Sequence, residues 1–498
     1  MKNILIAIRS IFKKGRHNVM KIVSLGIGLA VGLVLIAKVY FEQSYDDFYP
    51  DRDRVYQVWA KYQQNGGELK DYPQTSGGIA PTMQQQIPEI ETVTRYTSFG
   101  DWTFTMTDTK MKYSGRCIIA DSCFFDILPR PMLIGNAKEV LSTPMYVLIS
   151  SRIAKNIGGD VIGKNFTVDN SPGRTMTIGG VFEEVPENSH SRYDVIVSMA
   201  SAGRFMWEGS PTNMLGNDRY ISYVKLHKGV NPLALEEQVR TFVNSYFPPE
   251  EQQKVGLSID FSFHKLDNLH KELPQVKRMT WILSLLAFAL IFTAVMNYIL
   301  IVISSIVNRS KEVAVHKCYG ASENNIHGMM FGEALVHIVL SLILALLLIL
   351  AFRGTVEELL ATSLDSLLLS NGSLVLLGIC ILVFFVSGFM PGSLYARIPV
   401  ASAFRNYREN KRIWKKALLL VQFVATGFLV TMLVFVARQY TFMVNDRPGY
   451  AYENLAYCGL AGVDSTSRAK ILDEVMRLPG VAAATTVYSF TGRDSRAF

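Results

Sequence analysis

The sequence predicts an integral membrane α-helical bundle of about five transmembrane helices, with a large α+β extracytoplasmic domain inserted between helices 1 and 2. Three observations carry this. Five apolar stretches, 22–41, 280–304, 329–352, 372–394 and 417–437, each reach the roughly 20 residues needed to cross about 30 Å of hydrocarbon. The polar stretch 42–279 between the first two is long enough to bury a core of its own. The basic residues behind a formal charge of +8 in 498 residues gather beside the apolar stretches, which is the pattern of a cytoplasmic membrane face and points away from a nucleic-acid partner.

The N-terminal stretch 1–21 carries Lys2, Arg9, Lys13, Lys14, Arg16 and Lys21 and no acid, so it stays in the cytoplasm. The apolar stretch that follows is too long for a cleavable signal, and no small-x-small site succeeds it. Lys38, near its outer end, is expected to snorkel to the headgroups. Alternation then places 42–279 outside, 305–328 inside, 353–371 outside, 395–416 inside and 438–498 outside. The charges agree. The linker 395–416 holds Arg397, Arg405, Arg408, Lys411, Arg412, Lys415 and Lys416 against Glu409, whereas 353–371 holds Glu357, Glu358 and Asp365 against Arg353. The expected location is the inner (plasma) membrane, multi-pass, with the lipid bilayer as a partner.

Within the helices, Gly28 and Gly32 are four apart, a spacing that fits close helix approach and fits equally the plain abundance of glycine in membrane helices. Glu333 and His337 share one face of the third helix. An ionisable pair in a membrane segment is a functional candidate, but Glu333 stands about one turn from the interface, where structural hydrogen bonding is the better reading.

In the inserted domain, residues 45–59 turn from polar to alternating, the pattern of a strand leaving the membrane helix. Period-two segments follow at 92–99, 102–108 and 111–119. Asn170-Ser-Pro-Gly173 separates two alternating runs, 165–169 and 174–182, as in a hairpin. Asn231-Pro232 opens an amphipathic helix to Phe247, flanked by strands near 219–227 and 256–265.

Gly158-Gly-Asp-Val-Ile-Gly163-Lys164 has P-loop spacing, but Asn165 stands where Ser or Thr would hold magnesium, and a strand pattern follows instead of a helix. It reads as a turn. His190, His264 and His270 lack partners at ligand spacing, so no metal is expected. Asp51 and Asp53 alternate with Arg52 and Arg54, which describes a solvated ion-paired surface. With no catalytic constellation, the chain is not expected to be an enzyme. Cys117 and Cys123, at C-x5-C spacing, read as two thiols more readily than as a disulfide.

The segment Asn308-Arg-Ser-Lys311-Glu312-Val313-Ala-Val315-His-Lys317-Cys-Tyr-Gly320-Ala321-Ser322 resembles the loop of FtsX-like ABC transporter permeases that meets an ATPase subunit. Other blocks are similar to the branch with a MacB-like periplasmic core domain: Tyr45-Asp-Asp-Phe48 with Asp51-Arg-Asp-Arg54-Val-Tyr56, Gly78-Ile-Ala-Pro-Thr-Met83, Ile178-Gly-Gly-Val-Phe182 with Pro186-Glu-Asn-Ser-His190, Glu333-Ala-Leu335, Gly388-Phe-Met-Pro391 and Pro399-Val-Ala-Ser-Ala-Phe-Arg405. The resemblance implies the membrane subunit of a mechanotransmitter, in which ATP and Mg bind a partner ATPase and helix movement repositions the outer domain. It implies a second permease chain or half and leaves room for a periplasmic adaptor. Lys311, Glu312, Val313, Val315, Lys317, Gly320, Ala321 and Ser322 would form the coupling loop. Cys318-Tyr319 replaces the family's usual Ala-Leu and is expected to be a packing difference. Antimicrobial peptides, macrolides and lipoproteins all remain open as cargo. The alternative class is a membrane receptor with an extracytoplasmic sensor, for example one controlling a cell-wall hydrolase.

The run from Trp414 through Gln422 and Arg438 to Gly449-Tyr450 echoes the opening of the first half. It reads as the start of a second repeat that the chain carries only in part.

Overall fold

The structure, a computed structural model, describes residues 17–168, 171–216, 218–368, 372–396, 400, 413–445, 454–458, 460 and 465–487. Along the chain, helix α1 (Asn18–Gln43) is followed by strands β1 (Val55–Gln64), β2 (Lys70–Tyr72), β3 (Ile90–Met106), β4 (Lys112–Ala120), β5 (Met132–Ile134), β6 (Tyr146–Ser150), β7 (Asn165–Val168), β8 (Ser171–Phe182), β9 (Val195–Ser198), β10 (Ile221–Leu226) and β11 (Leu257–Lys265). Then come α2 (Pro274–Ser304), α3 (Ile306–Cys318), α4 (Glu323–Ala351), α5 (Arg353–Leu360), α6 (Leu364–Leu368), α7 (Ser373–Ala396) and α8 (Ile413–Asn445). Helices of the inserted domain are named by their residues. The chain forms two compact units: Met1–Pro50, Glu187–His190 and Asp267–Asp446 in one, and Asp51–Pro186, Ser191–Leu266 and Arg447–Phe498 in the other.

In the first unit, α1, α2, α4, α7 and α8 are long and apolar enough to span a bilayer, and each contains one of the expected spans or nearly all of it. Helix α1 packs against α2 and α4, and α7 against α4. Their shared core includes Leu25, Leu29, Tyr298, Ile299, Ile338 and Tyr395. Gly28 and Gly32 explain the closeness of α1 and α2. A Cβ at residue 28 would lie 2.2 Å from Ala294 Cβ, and one at residue 32 would lie 2.4 Å from Ile291 Cγ1. Gly388 and Gly392 do the same for α7, beneath Phe331 and His327 of α4. Helix α8 touches α2 through Gln422, whose Nε2 donates to Asn297 Oδ1 at 3.1 Å.

Three expectations change here. Residues 305–328 are mostly helix, α3 and the start of α4, because Ala, Lys and Glu favour helix and Val313 and Ala314 have a core to enter. Residues 353–371 hold α5 and α6 where an outer loop was expected. Lys38 does not snorkel: it is buried, with its ammonium 2.7 Å from Glu42 and 2.8 Å from Thr362 Oγ1. Partners within reach cost less than carrying the charge to the interface. Most of the linker 395–416 and much of 438–498 lie outside the described residues.

The second unit is built on one sheet ordered β11-β1-β10-β3-β4-β9-β6-β8-β5, with β2 on β1. Strand β7 pairs with both β3 and β8, so β3, β4, β9, β6, β8 and β7 close into a ring. Trp102, Phe104, Ile119, Phe166, Ile178 and Val197 fill that ring. The other half, β11-β1-β10-β3, is antiparallel and carries helices Ile79–Gln86 and Glu236–Tyr246 over a core of Met83, Val224, Val239 and Phe242. The runs 92–99 and 102–108 are one strand, β3, whose register shifts between Ser98 and Gly100. Strands β7 and β8 pair antiparallel as expected, but β8 begins at Ser171, so Gly173, at φ +88°, lies within the strand beside a register shift rather than in the turn, and Asn170 lies outside the described residues. The flanking strands near 219–227 and 256–265 are β10 and β11, but β1 lies between them. The P-loop-like segment is a turn: Gly158, Gly159 and Gly163 have φ of +76°, +65° and +76°, and β7 follows. Cys117 and Cys123 are free thiols; Cys117 is buried and burial pushes its pKa up. Asp51 is ion-paired with Arg54 at 3.0 Å and Lys225 at 2.6 Å, and Arg54 also reaches Glu91.

Candidate coupling element

Helix α3 leaves α2 at Ser305 and turns one face, Ser310, Val313 and Ala314, into the membrane-unit core. It closes on a left-handed Gly320 at φ +86°. There the Ala321 N–H donates to His316 O and the Gly320 N–H to Lys317 O, both at 3.0 Å. This double closure needs a residue free of Cβ strain at position 320. Two residues later Ser322 starts α4, its hydroxyl accepting from the Asn325 N–H at 3.4 Å with Glu323 in the first turn. Gly320-Ala321-Ser322 is therefore a helix stop followed directly by a helix start, which makes α3 and the head of α4 a tight hairpin.

Lys317 fastens this hairpin to the bundle. Its ammonium donates to the backbone carbonyl of Ala396, at the end of α7, at 2.7 Å. Beside it, the Tyr395 hydroxyl donates to Val302 O and lies within reach of Ser305 Oγ, both at 3.1 Å. Helix α3 is thus continuous with α2 at Ser305 and bonded to α7 through Lys317, while Tyr395 ties α7 to α2.

The eight sequence-predicted residues divide by this geometry. Val313 is core, Gly320 and Ser322 shape the turn together with the half-buried Ala321, and Lys317 anchors α3 to α7. Glu312 is half-buried. Lys311 and Val315 are exposed, and they line up at helical spacing with Cys318 and Tyr319. Tyr319 is 88 % exposed. The Cys318-Tyr319 departure is therefore a change of surface chemistry, and the expected packing difference is corrected. Sequence reasoning missed Tyr319, Tyr395 and the Ala396 carbonyl; a bulky aromatic beside a helix-ending glycine was the available signal for the first.

Glu333 and His337 both face inward on α4, but each meets a different partner. Lys21 of α1 lies 3.5 Å from Glu333 and bonds Asn18 Oδ1 at 3.2 Å. His337 Nδ1 lies 3.1 Å from the Tyr298 hydroxyl of α2. Ser341, one turn on, donates to Ile22 O at 3.1 Å. These contacts tie α1, α2 and α4 together. Lys21, counted in the sequence as a flanking charge, is fully buried. Among the described residues, no three His, Cys, Asp or Glu side chains are grouped to hold a metal ion.

Two family models match the chain: the MacB-like periplasmic core domain over residues 20–242 and the FtsX-like permease C-terminal over residues 284–400. The chain belongs to the FtsX-like permeases that carry a MacB-like periplasmic core domain. A solved domain of a protein described as a permease from Porphyromonas gingivalis is 33% identical, covers 44% of this chain and 91% of its own, and has a TM-score of 0.40. The periplasmic region of MacB from Actinobacillus actinomycetemcomitans is 15% identical over 44% of this chain and 91% of its own, TM-score 0.29. The extracellular domain of the noncanonic ABC-type transporter YknZ from Gram-positive bacteria is 11% identical over 41% and 98%, TM-score 0.30. No curated protein matches the chain. Family membership makes the permease a membrane protein whose inserted domain is extracytoplasmic.

Proposed function

We propose that this permease is the membrane subunit of an ABC transporter of the mechanotransmission type, and that the α3–α4 hairpin docks on a separate cytoplasmic ATPase. The single observation that carries this is the hairpin itself, with an exposed stripe of Lys311, Val315 and Tyr319 on a helix that continues from α2 at Ser305 and is bonded through Lys317 to α7. A partner that presses on α3 moves the ends of both spanning helices, because α3 cannot shift without dragging or breaking those bonds. ATP and Mg bind the ATPase, whose closure supplies the push. The N-terminus and the hairpin lie in the cytoplasm of a cell with this chain in its inner membrane, as the basic flanks demand. A second permease chain or half supplies the opposing surface. The work is done on extracytoplasmic cargo: an antimicrobial peptide, macrolide, lipoprotein or similar molecule.

The test is co-purification from native membranes of a subunit with a Walker A motif. Lys311→Glu combined with Tyr319→Asp changes only exposed positions and is expected to abolish the association while the permease still accumulates at parental levels. Undiminished ATPase recovery with this double variant refutes the docking assignment.

A further inference from the structure

Helix α7 stays helical through Pro391, and the parts on either side of that residue are held by different partners. Before it, Phe384 and Phe385 pack on Phe331 of α4. After it, the Tyr395 hydroxyl donates to Val302 O of α2 at 3.1 Å, and Ala396 O accepts from the Lys317 ammonium of α3 at 2.7 Å. All of these residues belong to the membrane unit.

Four features loosen the stretch between, 387–393. Pro391 has no N–H, so the Ser387 carbonyl, four residues back, loses its helix partner. The Ser387 hydroxyl is buried and has no hydrogen-bond partner among the described residues. The Ser393 hydroxyl donates to Phe389 O at 2.9 Å, competing with its own N–H for that carbonyl, an arrangement that bends helices. Two serine–glycine pairs, Ser387-Gly388 and Gly392-Ser393, flank the proline, and such pairs are sites of helix kinks. Elsewhere in α7 a bend must break a backbone bond between residues four apart. Here one such bond is absent and another is shared, so bending costs least.

The same glycines fix where the bend pivots. A Cβ at residue 388 would lie 2.6 Å from Phe331 Cδ1, and one at residue 392 would lie 2.7 Å from His327 Nδ1. Phe331 and His327 are one turn apart on α4, and the two glycines are one turn apart on α7, so two rings sit in two notches. Met390, on the opposite face of α7, is exposed. We propose that the stretch 387–393 is a hinge in α7, pivoting on Phe331 and His327, by which the end of the helix held by α2 and α3 changes angle against the part held by α4. Pro391 is the residue to perturb, because Pro391→Ala restores the N–H that the Ser387 carbonyl lacks.

The experiment uses the full chain in lipid nanodiscs and reads amide exchange and one inter-label distance. In the parent, amides of 389–396 are expected to exchange about tenfold faster than those of 376–386, because bonds there are missing or shared. Pro391→Ala is expected to slow 389–396 about tenfold and to leave 376–386 unchanged. Genetically encoded spin-labelled residues at Leu377 and Val315, both exposed, stand on the two sides of the hinge. Their distance distribution is expected to be about twofold narrower in Pro391→Ala than in the parent. If either the exchange of 389–396 or the width is unchanged by Pro391→Ala, the hinge is overturned; equal slowing along the whole of α7 overturns it too. Should Pro391→Ala fail to fold, Ser393→Ala, which removes the competing hydroxyl, is read in its place. It is expected to slow 389–396 about threefold, and no slowing overturns the hinge. No ATPase is present in either measurement, so the outcome is independent of the docking assignment.

Discussion

Replacing Gly28 with alanine is a small change with a large expected effect, because the position has no space for a methyl group. The added Cβ would lie 2.2 Å from Ala294 Cβ of α2. Carbon atoms rest at about 3.5–4.0 Å, so α1 and α2 must part by roughly 1.5 Å at this point. Overpacking of this kind costs about 1–3 kcal/mol. The better helix propensity of alanine returns at most about 1 kcal/mol, leaving a net loss of up to roughly 2 kcal/mol when all of it is subtracted. Ala294 has no rotamer by which to yield, whereas Ile291, opposite Gly32, does. Gly32→Ala is therefore expected to cost less than Gly28→Ala. The assay is reversible unfolding by SDS in mixed micelles for the parent, both single variants, Ala294→Gly, and Gly28→Ala with Ala294→Gly. The last pair exchanges the two side chains and is expected to recover more than half of the Gly28→Ala loss. Strict additivity of the two changes, or no loss for Gly28→Ala alone, would refute the close-approach account.

Three further outcomes follow from the charges and thiols. Lys21→Met and Glu333→Met each strand a buried charge and are expected to cost about 3–5 kcal/mol in the same titration, while the double variant costs clearly less than either; a double variant as unstable as the sum of the singles contradicts the pairing. Asp51 is held down to about 2 by hydrogen bonds from Arg54 and then Lys225. Its stabilisation is complete above the unfolded value near 3.9 and is lost as pH falls through about 2; at more than a third exposed it amounts to less than about 1 kcal/mol, seen as a shallower acid limb for Asp51→Asn between pH 4 and 2. Cys318 and Cys458 are both exposed thiols. An impermeant maleimide added to intact spheroplasts is expected to label Cys458 at once and Cys318 only after permeabilisation, and the reverse order would invert the topology.

Much of this architecture was legible in the sequence because bilayer physics leaves few alternatives. A run of about 20 apolar residues in a membrane must be a helix, and the five helices agree with the five stretches. The β7–β8 pairing was equally plain from the two alternating runs, although β8 already begins at Ser171, inside the expected turn, and Asn170 lies outside the described residues. What escaped depends on contacts between distant residues. Strand β7 pairs with β3 as well as β8, and nothing local in Asn165–Val168 announces a second partner. Lys21 and Lys38 read as interfacial charges because sequence shows flanks and spacing, whereas their burial is set by Glu333, Glu42 and Thr362. The segment 308–322 was found as a pattern, but its division of labour was hidden: Gly320 and Ser322 shape a turn, Lys317 holds α7, and Tyr319 stands exposed.

The docking surface admits one direct measurement. A photo-activatable amino acid placed singly at Lys311, Val313, Val315 and Tyr319 in otherwise native membranes reports what each position touches. The account predicts ATPase adducts from the exposed positions 311, 315 and 319 and none from the buried position 313. Adducts with lipid alone at all four, or with the ATPase from 313 and not from 319, would contradict it.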